Sequence, residues 1–342
     1  MPSRLRVATV GAGYFSRFHH DAWARIGEVE LVAVCDRSRA AAEAVARELG
    51  VARVFDDFDA MLDTVRPDLV DIVTPPDSHL AFVSAAAERG IPAICQKPFC
   101  PDLESARQAV AIAARHDATV IVHENFRFQP WYDAIRREIE AGRIGEPYQA
   151  TFRLRPGDGQ GADAYLARQP YFQKMPRFLV HETAIHWIDV FRFLLGEVAE
   201  VTARLSRLNP VIAGEDAGFI LFGFRNGARA IFDGNRLSDH CAGNRRLTMG
   251  EMTVEGAAGT IALNGDGDLS FRPFGGNDWT PLAFDWEDRG FGGDCVWRLQ
   301  RHVVDHLRTG RPVMNTADDY LRNLEIEAAV YRSDAEGRRI DL

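Results

Sequence analysis

A carboxylate and an imidazole stand four residues apart in Phe178-Leu179-Val180-His181-Glu182-Thr183-Ala184-Ile185-His186, a stretch whose apolar spacing predicts a helix. At about 100° per residue, positions i and i+4 fall within roughly 40° of each other, so Glu182 and His186 can share one acid/base site. His186 is the expected general base for a hydroxyl proton, and Glu182 either binds a second hydroxyl or holds the imidazole. A lone histidine on such a helix is ordinarily a core residue; its weight here comes from the company it keeps. Lys97, in Cys95-Gln96-Lys97-Pro98-Phe99, follows an apolar strand. That places its ammonium at the carboxyl edge of a parallel sheet, where ligands bind and where it can polarise a reacting oxygen. Pro98 fixes the turn and is open to the cis form.

A glycine turn supplies the third piece of chemistry. In Gly11-Ala12-Gly13-Tyr14-Phe15-Ser16, Gly11 permits the tight turn and Gly13 lets backbone amides approach a pyrophosphate at a helix N-terminus; Ser16 takes the third small position. Asp36 stands twenty residues beyond Ser16 at the end of the second apolar run, where a carboxylate accepts both ribose hydroxyls and repels a 2'-phosphate. NAD is therefore favoured, although Arg37 could neutralise a 2'-phosphate and NADP stays open. Asn125, after the sixth strand, is a candidate for the nicotinamide ribose or the substrate, with His123 lining or structural. His19 and His20 read as structural or surface residues, and Asp189 as the i,i+3 partner of Arg192. His181 and His186 are five apart, about 140° around a helix, so no metal site is expected.

The elements that must position these groups alternate regularly. Strands are expected at 6–10, 30–35, near 54, 69–73, 92–95 and 119–122, with helices between them through about 26 and at 38–49, 58–65, 78–89 and 103–116. Such β/α alternation predicts a doubly wound parallel Rossmann sheet. After a helix at 131–141 the rhythm changes to longer alternating segments at 148–154, 198–208, 217–224 and 228–235 and within 246–263. These predict an α+β domain with a largely antiparallel open sheet, one face covered by helices and the other paired with a second copy as a homodimer or homotetramer. The expected division is a nucleotide-binding domain over 1–123 and a substrate and oligomerisation domain over 124–342, with the C-terminal helix free to pack back on the first. The long Gly-containing segment 155–178 carries Tyr165, Arg168, Tyr171 and Phe172 just before the Glu182 turn, and reads either as a substrate-side cover or as an aromatic anchor for a crossover.

Composition narrows the class. A net charge of -9 argues against a nucleic-acid surface or a polybasic membrane patch, leaving a small molecule as the favoured partner. The five cysteines are scattered, with no Cys-x-x-Cys pair, which suits a reducing cytoplasm. The opening residues Met1 to Arg6 do not read as a signal peptide, and no stretch approaches 18 consecutive apolar residues.

Taken together, Gly11-x-Gly13-x-x-Ser16, Thr74-Pro75-Pro76-x-x-His79, Lys97-Pro98, Asn125-Phe126-Arg127-Phe128 and Glu182-x-x-x-His186 resemble, in order and spacing, the glucose-fructose oxidoreductase/inositol dehydrogenase/MocA (Gfo/Idh/MocA) family. The resemblance runs over nearly the whole chain and implies a two-domain nicotinamide-dependent dehydrogenase of sugars, cyclitols or related polyols. It implies that Tyr14, Phe15, Thr74, Pro75, Pro76, His79 and Gln96 join the cofactor site. It also implies that Lys97, Glu182 and His186 are catalytic; Glu124 and Asn125 after the sixth strand, and Arg168 and Phe172 in the 155–178 segment, are the further substrate-side candidates. The segments around Lys97, Asn125 and Glu182 resemble the branch acting on D-apiose, which implies oxidation of its anomeric carbon to a lactone; inositols and simple aldoses remain open. The same fold could instead serve an NAD-dependent glycosidase or a non-catalytic nucleotide-binding regulator. Three positions depart from its pattern: Gln96 replaces a glutamate, Glu182 an aspartate and Ala184 a glycine. Loss of the first removes a negative neighbour of Lys97, and Glu124, ending the adjacent strand, is the expected replacement.

Overall fold

The computed structural model describes residues 4–342, so Met1–Ser3 of the opening segment lie outside the described residues. Its contacts divide the chain into two compact units, Met1–Asn125 with Val296–Arg322, and Phe126–Cys295 with Asn323–Leu342.

In the first unit, strands β1 (Leu5–Val10), β2 (Val29–Cys35), β3 (Val54–Phe55), β4 (Leu69–Ile72), β5 (Ala93–Gln96) and β6 (Val120–His123) form a wholly parallel sheet in the order β3-β2-β1-β4-β5-β6. Every residue of β4, β5 and β6 is buried, as a sheet covered on both faces requires. The crossovers are α1 (Ser16–Arg25), α2 (Arg39–Leu49), α3 (Phe58–Val65), α4 (His79–Glu88) and α5 (Leu103–Arg115). Their ends follow local chemistry. Ser38, Asp57 and Asp102 cap α2, α3 and α5 by accepting backbone N–H groups, and Gly50 stops α2 in the left-handed region at φ 70°.

The second unit holds α6 (Pro130–Glu140) and α7 (Ile185–Leu195), and a sheet of β7 (Pro147–Leu154), β8 (Val198–Ser206), β9 (Ala217–Phe224), β10 (Arg229–Asn235), β11 (Gly250–Gly256), β12 (Gly259–Leu263), β13 (Leu269–Pro273), β14 (Thr280–Leu282) and β15 (Ile340–Asp341). The strand order is β14-β13-β12-β11-β7-β10-β9-β8-β15, antiparallel throughout the described residues except for β7 with β10. Alternation assigns the faces: Ala150, Phe152, Ile220, Phe222, Ala230, Phe232, Met252 and Val254 are buried, whereas Phe219 and Leu221 are 57% and 48% exposed. Two further helices, α8 (Cys295–Thr309) and α9 (Ala317–Glu336), precede β15; no helix among the described residues is long and apolar enough to cross a membrane.

Candidate active site

Because the first sheet is parallel, the ends of β1, β2, β4, β5 and β6 bring the glycine turn, Asp36, Thr74, Lys97 and Asn125 to one edge. Gly11 adopts φ 111°, and a Cβ there would lie 2.2 Å from the Val73 carbonyl oxygen, so only glycine lets the turn pass so close to β4. A Cβ on Gly13 would meet nothing within 4 Å, leaving an open cradle at the start of α1. Ser16 Oγ donates to the Gly13 carbonyl at 2.8 Å. Asp36 accepts from the Ala12 and Ser38 amides, both at 2.8 Å, which locks its carboxylate beside the turn; Tyr14 and Arg37 are exposed and Phe15 half-buried. The Nδ2 of Asn125 is buried without a hydrogen-bond partner. An open glycine cradle at a helix N-terminus, a fixed carboxylate at the end of β2 and a buried amide donor in need of an acceptor fit a dinucleotide.

His79, expected to touch the cofactor, is fully buried and does another job. Its Nδ1 lies 3.1 Å from the Pro98 and Phe99 carbonyls and its Nε2 2.7 Å from that of Thr74, so it staples the Thr74-Pro75-Pro76 turn to the Lys97 turn. Burial lowers its pKa despite those three acceptors. The Lys97–Pro98 peptide is cis, and Lys97 is half-buried. The register pairs Gln96 with His123, so the chain leaves these neighbouring strands at Lys97 and Glu124. Glu124 is fully buried and accepts from the Tyr320 hydroxyl at 3.2 Å. His123 is buried with both ring nitrogens unpartnered, and desolvation takes its pKa well below the usual histidine range.

In the second unit, Glu182 does not lie on a regular α-helix. Residues Leu179–Ala184 form a wider turn in which the Ile185 amide bonds the Val180 carbonyl five residues back, and His186 sits in the first turn of α7. Wide turns of this kind recur at functional sites because they re-aim side chains. Glu182 is half-buried and His186 5% exposed, its ring stacked on Phe126 at 3.7 Å and an interplanar angle of 3°. The turn is held from several sides. Glu215 Oε1 accepts from the Phe178 and Val180 amides at 3.1 Å, and from the Tyr331 hydroxyl at 2.7 Å. His181 Nδ1 lies 2.8 Å from Glu327 Oε1. Arg236 Nη1 donates to Thr183 Oγ1 at 2.6 Å.

The 155–178 segment has its own small core of Ala164, Tyr165, Phe172, Phe178 and Ile212. Phe172, expected against substrate, is 3% exposed within that core. Arg168 reaches Asp158 at 3.4 Å. The aromatic ring this segment exposes is that of Tyr171, 54% accessible; desolvation of its hydroxyl and, second, the Glu182 carboxylate push its pKa up to about 12. Asp189 is bound bidentately by Arg127 at 2.6 and 2.7 Å, and Asn323 links it to Arg192. Reading the sequence missed Phe126, Glu215 and Arg236, whose roles depend on long-range pairing; an arginine in an otherwise alternating strand end was the one available signal.

A family model described as an oxidoreductase family with an NAD-binding Rossmann fold matches residues 5–124, and the Gfo/Idh/MocA C-terminal domain matches residues 132–262. The chain belongs to the Gfo/Idh/MocA oxidoreductase family. It is 36% identical to a D-apiose dehydrogenase of Paraburkholderia graminis over 99% of this chain and 90% of that protein. A D-apiose dehydrogenase of Rhizobium rhizogenes is 33% identical, over 99% and 98%. An oxidoreductase from Agrobacterium radiobacter, solved in complex with NAD+, L-tartaric acid and magnesium, superposes with a TM-score of 0.89 at 33% identity, covering 99% of this chain and 98% of that one. The first unit of this Gfo/Idh/MocA member is thus an NAD-binding Rossmann domain.

Proposed function

We propose that this Gfo/Idh/MocA protein is an NAD-dependent dehydrogenase that oxidises a hydroxyl of a monosaccharide or polyol, with D-apiose the first substrate to test. The observation that carries the reading is the Glu182/His186 pair, a carboxylate and an imidazole on one restrained turn beside the exposed Tyr171 ring, in a chain whose other unit binds NAD. Nicotinamide, when bound, takes the hydride from the substrate carbon. His186 accepts the hydroxyl proton at a ring nitrogen, its plane fixed by Phe126. Lys97 hydrogen-bonds the reacting oxygen, and Glu182 accepts from a neighbouring hydroxyl of the substrate. Tyr171 offers the aromatic face on which the apolar side of a sugar rests, while Arg168 stands by for its hydroxyls. Gly11, Gly13, Ser16, Asp36 and Asn125 hold the dinucleotide, and Asp36 disfavours a 2'-phosphate. Glu124 serves as the counter-charge to Lys97 that Gln96 no longer provides; Glu124→Gln should therefore alter the pH profile of turnover.

The outer face of the second sheet, with Phe219 and Leu221 exposed, supports a homodimer or homotetramer, and Leu221→Asp should reduce the mass measured by light scattering. Five cysteines, all free thiols, suit a reducing cytoplasm. The test of function is NADH absorbance with purified protein, NAD or NADP, and a panel of apiose, aldoses, inositols and sugar acids. Turnover of one sugar with NAD is expected. Bound cofactor with no turnover of any member would overturn the dehydrogenase reading and leave a glycosidase or a regulator.

A further inference from the structure

Beneath the Lys97 turn lies a run of buried polar groups that the reaction scheme does not use. Asp71, in the middle of β4 and fully buried, accepts at Oδ2 from Trp23 Nε1 at 2.6 Å and faces His19 Nδ1 at 2.8 Å; Gln300 Nε2 lies 3.5 Å away. His19, also fully buried, has its Nε2 3.1 Å from the side-chain amide of Gln96. Gln96 in turn accepts the Lys97 backbone N–H at 2.6 Å. These hydrogen bonds have only one consistent direction. A backbone N–H can only donate, so the Gln96 atom facing it is Oε1, and the amide nitrogen must face His19. His19 Nε2 is then an acceptor, its proton rests on Nδ1, and that proton is donated to Asp71. The His123 ring lies against that of His19, centroids 4.0 Å apart and tilted by 35°, and His20 neighbours it on α1.

We propose that Asp71, His19 and Gln96 form a positioning chain that sets the Lys97 turn for the dehydrogenase reaction, with an amide rather than a carboxylate at position 96 because that side chain must both accept from Lys97 and donate to His19. The proposal rests on the reading of Lys97 as a group that binds the reacting oxygen. The chain does not conduct protons, since its last link is a backbone amide. It holds the turn from one side, while His79 holds Pro98 and Phe99 from the other. A carboxylate at position 96 could still accept from Lys97 but would have no N–H for His19, so two acceptors would face each other.

Three variants test this: Asp71→Asn, His19→Leu and the near-isosteric Gln96→Glu. The first two should lower kcat by about ten-fold with the KM for NAD little changed, and should add no further loss in a Lys97→Ala background. Gln96→Glu, which sets a carboxylate oxygen against His19 Nε2 in place of the amide N–H, should lower kcat in the same way. A second readout needs no turnover. The chain has two lysines, Lys97 and Lys174, so reductive methylation with a carbon-13 label gives two side-chain signals, that of Lys97 identified by its loss in Lys97→Arg. In folded Asp71→Asn and Gln96→Glu protein the Lys97 signal should move and the Lys174 signal stay. An unmoved Lys97 signal in both, or equal fractional losses of kcat with and without Lys97, would overturn the proposal. A Lys97 signal that responds in a protein turning over no sugar would support the chain while refuting the dehydrogenase reading.

Discussion

Arg236→Met should destabilise the second unit and loosen the turn that carries Glu182. The guanidinium is 2% exposed and each of its three nitrogens donates internally: Nε on Asp158 Oδ1 at 3.2 Å and the Tyr165 hydroxyl at 2.8 Å, Nη2 on Asp158 Oδ2 at 2.8 Å, and Nη1 on Thr183. Its carbon also lies 4.8, 5.1 and 5.8 Å from the ring centres of Phe178, Tyr165 and Phe172. Removing one partner of a buried ion pair costs about 3–5 kcal/mol, chiefly by stranding the other charge. Asp158 is 22% exposed and has Arg168 within 3.4 Å, which places the expectation at the lower end, about 3 kcal/mol. For a unit of about 150–250 residues this lowers Tm by roughly 6–12 °C. Arg236→Lys should recover little, since one ammonium cannot reach Asp158, Tyr165 and Thr183 together. Thermal melts by circular dichroism give the stability, and the substrate KM, raised as Thr183 and its neighbour Glu182 lose their anchor, gives the functional arm. A melting point within about one degree of the parent protein would refute the ascribed role.

Desolvation, then the nearby His19, lowers the pKa of His20 to about 4, so between pH 6.5 and 4 the unfolded chain binds a proton that the folded one does not. Stability should therefore fall as pH falls, by about 2 kcal/mol at pH 5 from His20 alone, with His79 and His123 acting in the same direction; flat melts from neutral pH to pH 5 would contradict this. Gly11→Ala should lose both Tm and NAD binding, because its Cβ meets Val73 backbone in a conformation closed to alanine. Gly13→Ala should keep its Tm and still bind NAD less tightly by fluorescence titration, since its Cβ enters only the open cradle.

The Rossmann unit was legible because its signals are local. Apolar runs of four or five residues, caps such as Asp57 and Asp102, and stops such as Gly50 each lie within one turn of what they control, and α3 spans Phe58–Val65 as the spacing predicts. Glu182 and His186 were found as a pair, but the widened turn was not, because it depends on Glu215 and Arg236, residues distant in sequence that bind Phe178, Val180 and Thr183. Phe172 and Arg168 could not be sorted by type alone: the segment turns Phe172 inward to its own core and Tyr171 outward. His19 carried a clue in its partner, since an aspartate in the fully buried run Leu69-Val70-Asp71-Ile72 must find donors somewhere. Asp189 faced a choice between Arg192 on its own helix and the distant Arg127, and the bidentate fork belongs to Arg127.

The parallel pairing of β7 with β10 also governs the order in which the molecule can be made. Gly234 aligns with Leu154 and Gly250 with the same residue from the other side, so β7 waits for strands some 80 to 96 positions further along the chain. The segment looped out by the first of these closures contains the whole of α7, and with it Glu182 and His186. Closing so long a loop sacrifices chain entropy before any contact repays it, which makes such pairings slow. The acid/base turn, held by Glu215 and by Arg236 just beyond β10, is on this ground expected to take its final shape after that pairing, so activity on refolding should return later than the bulk of the circular dichroism signal.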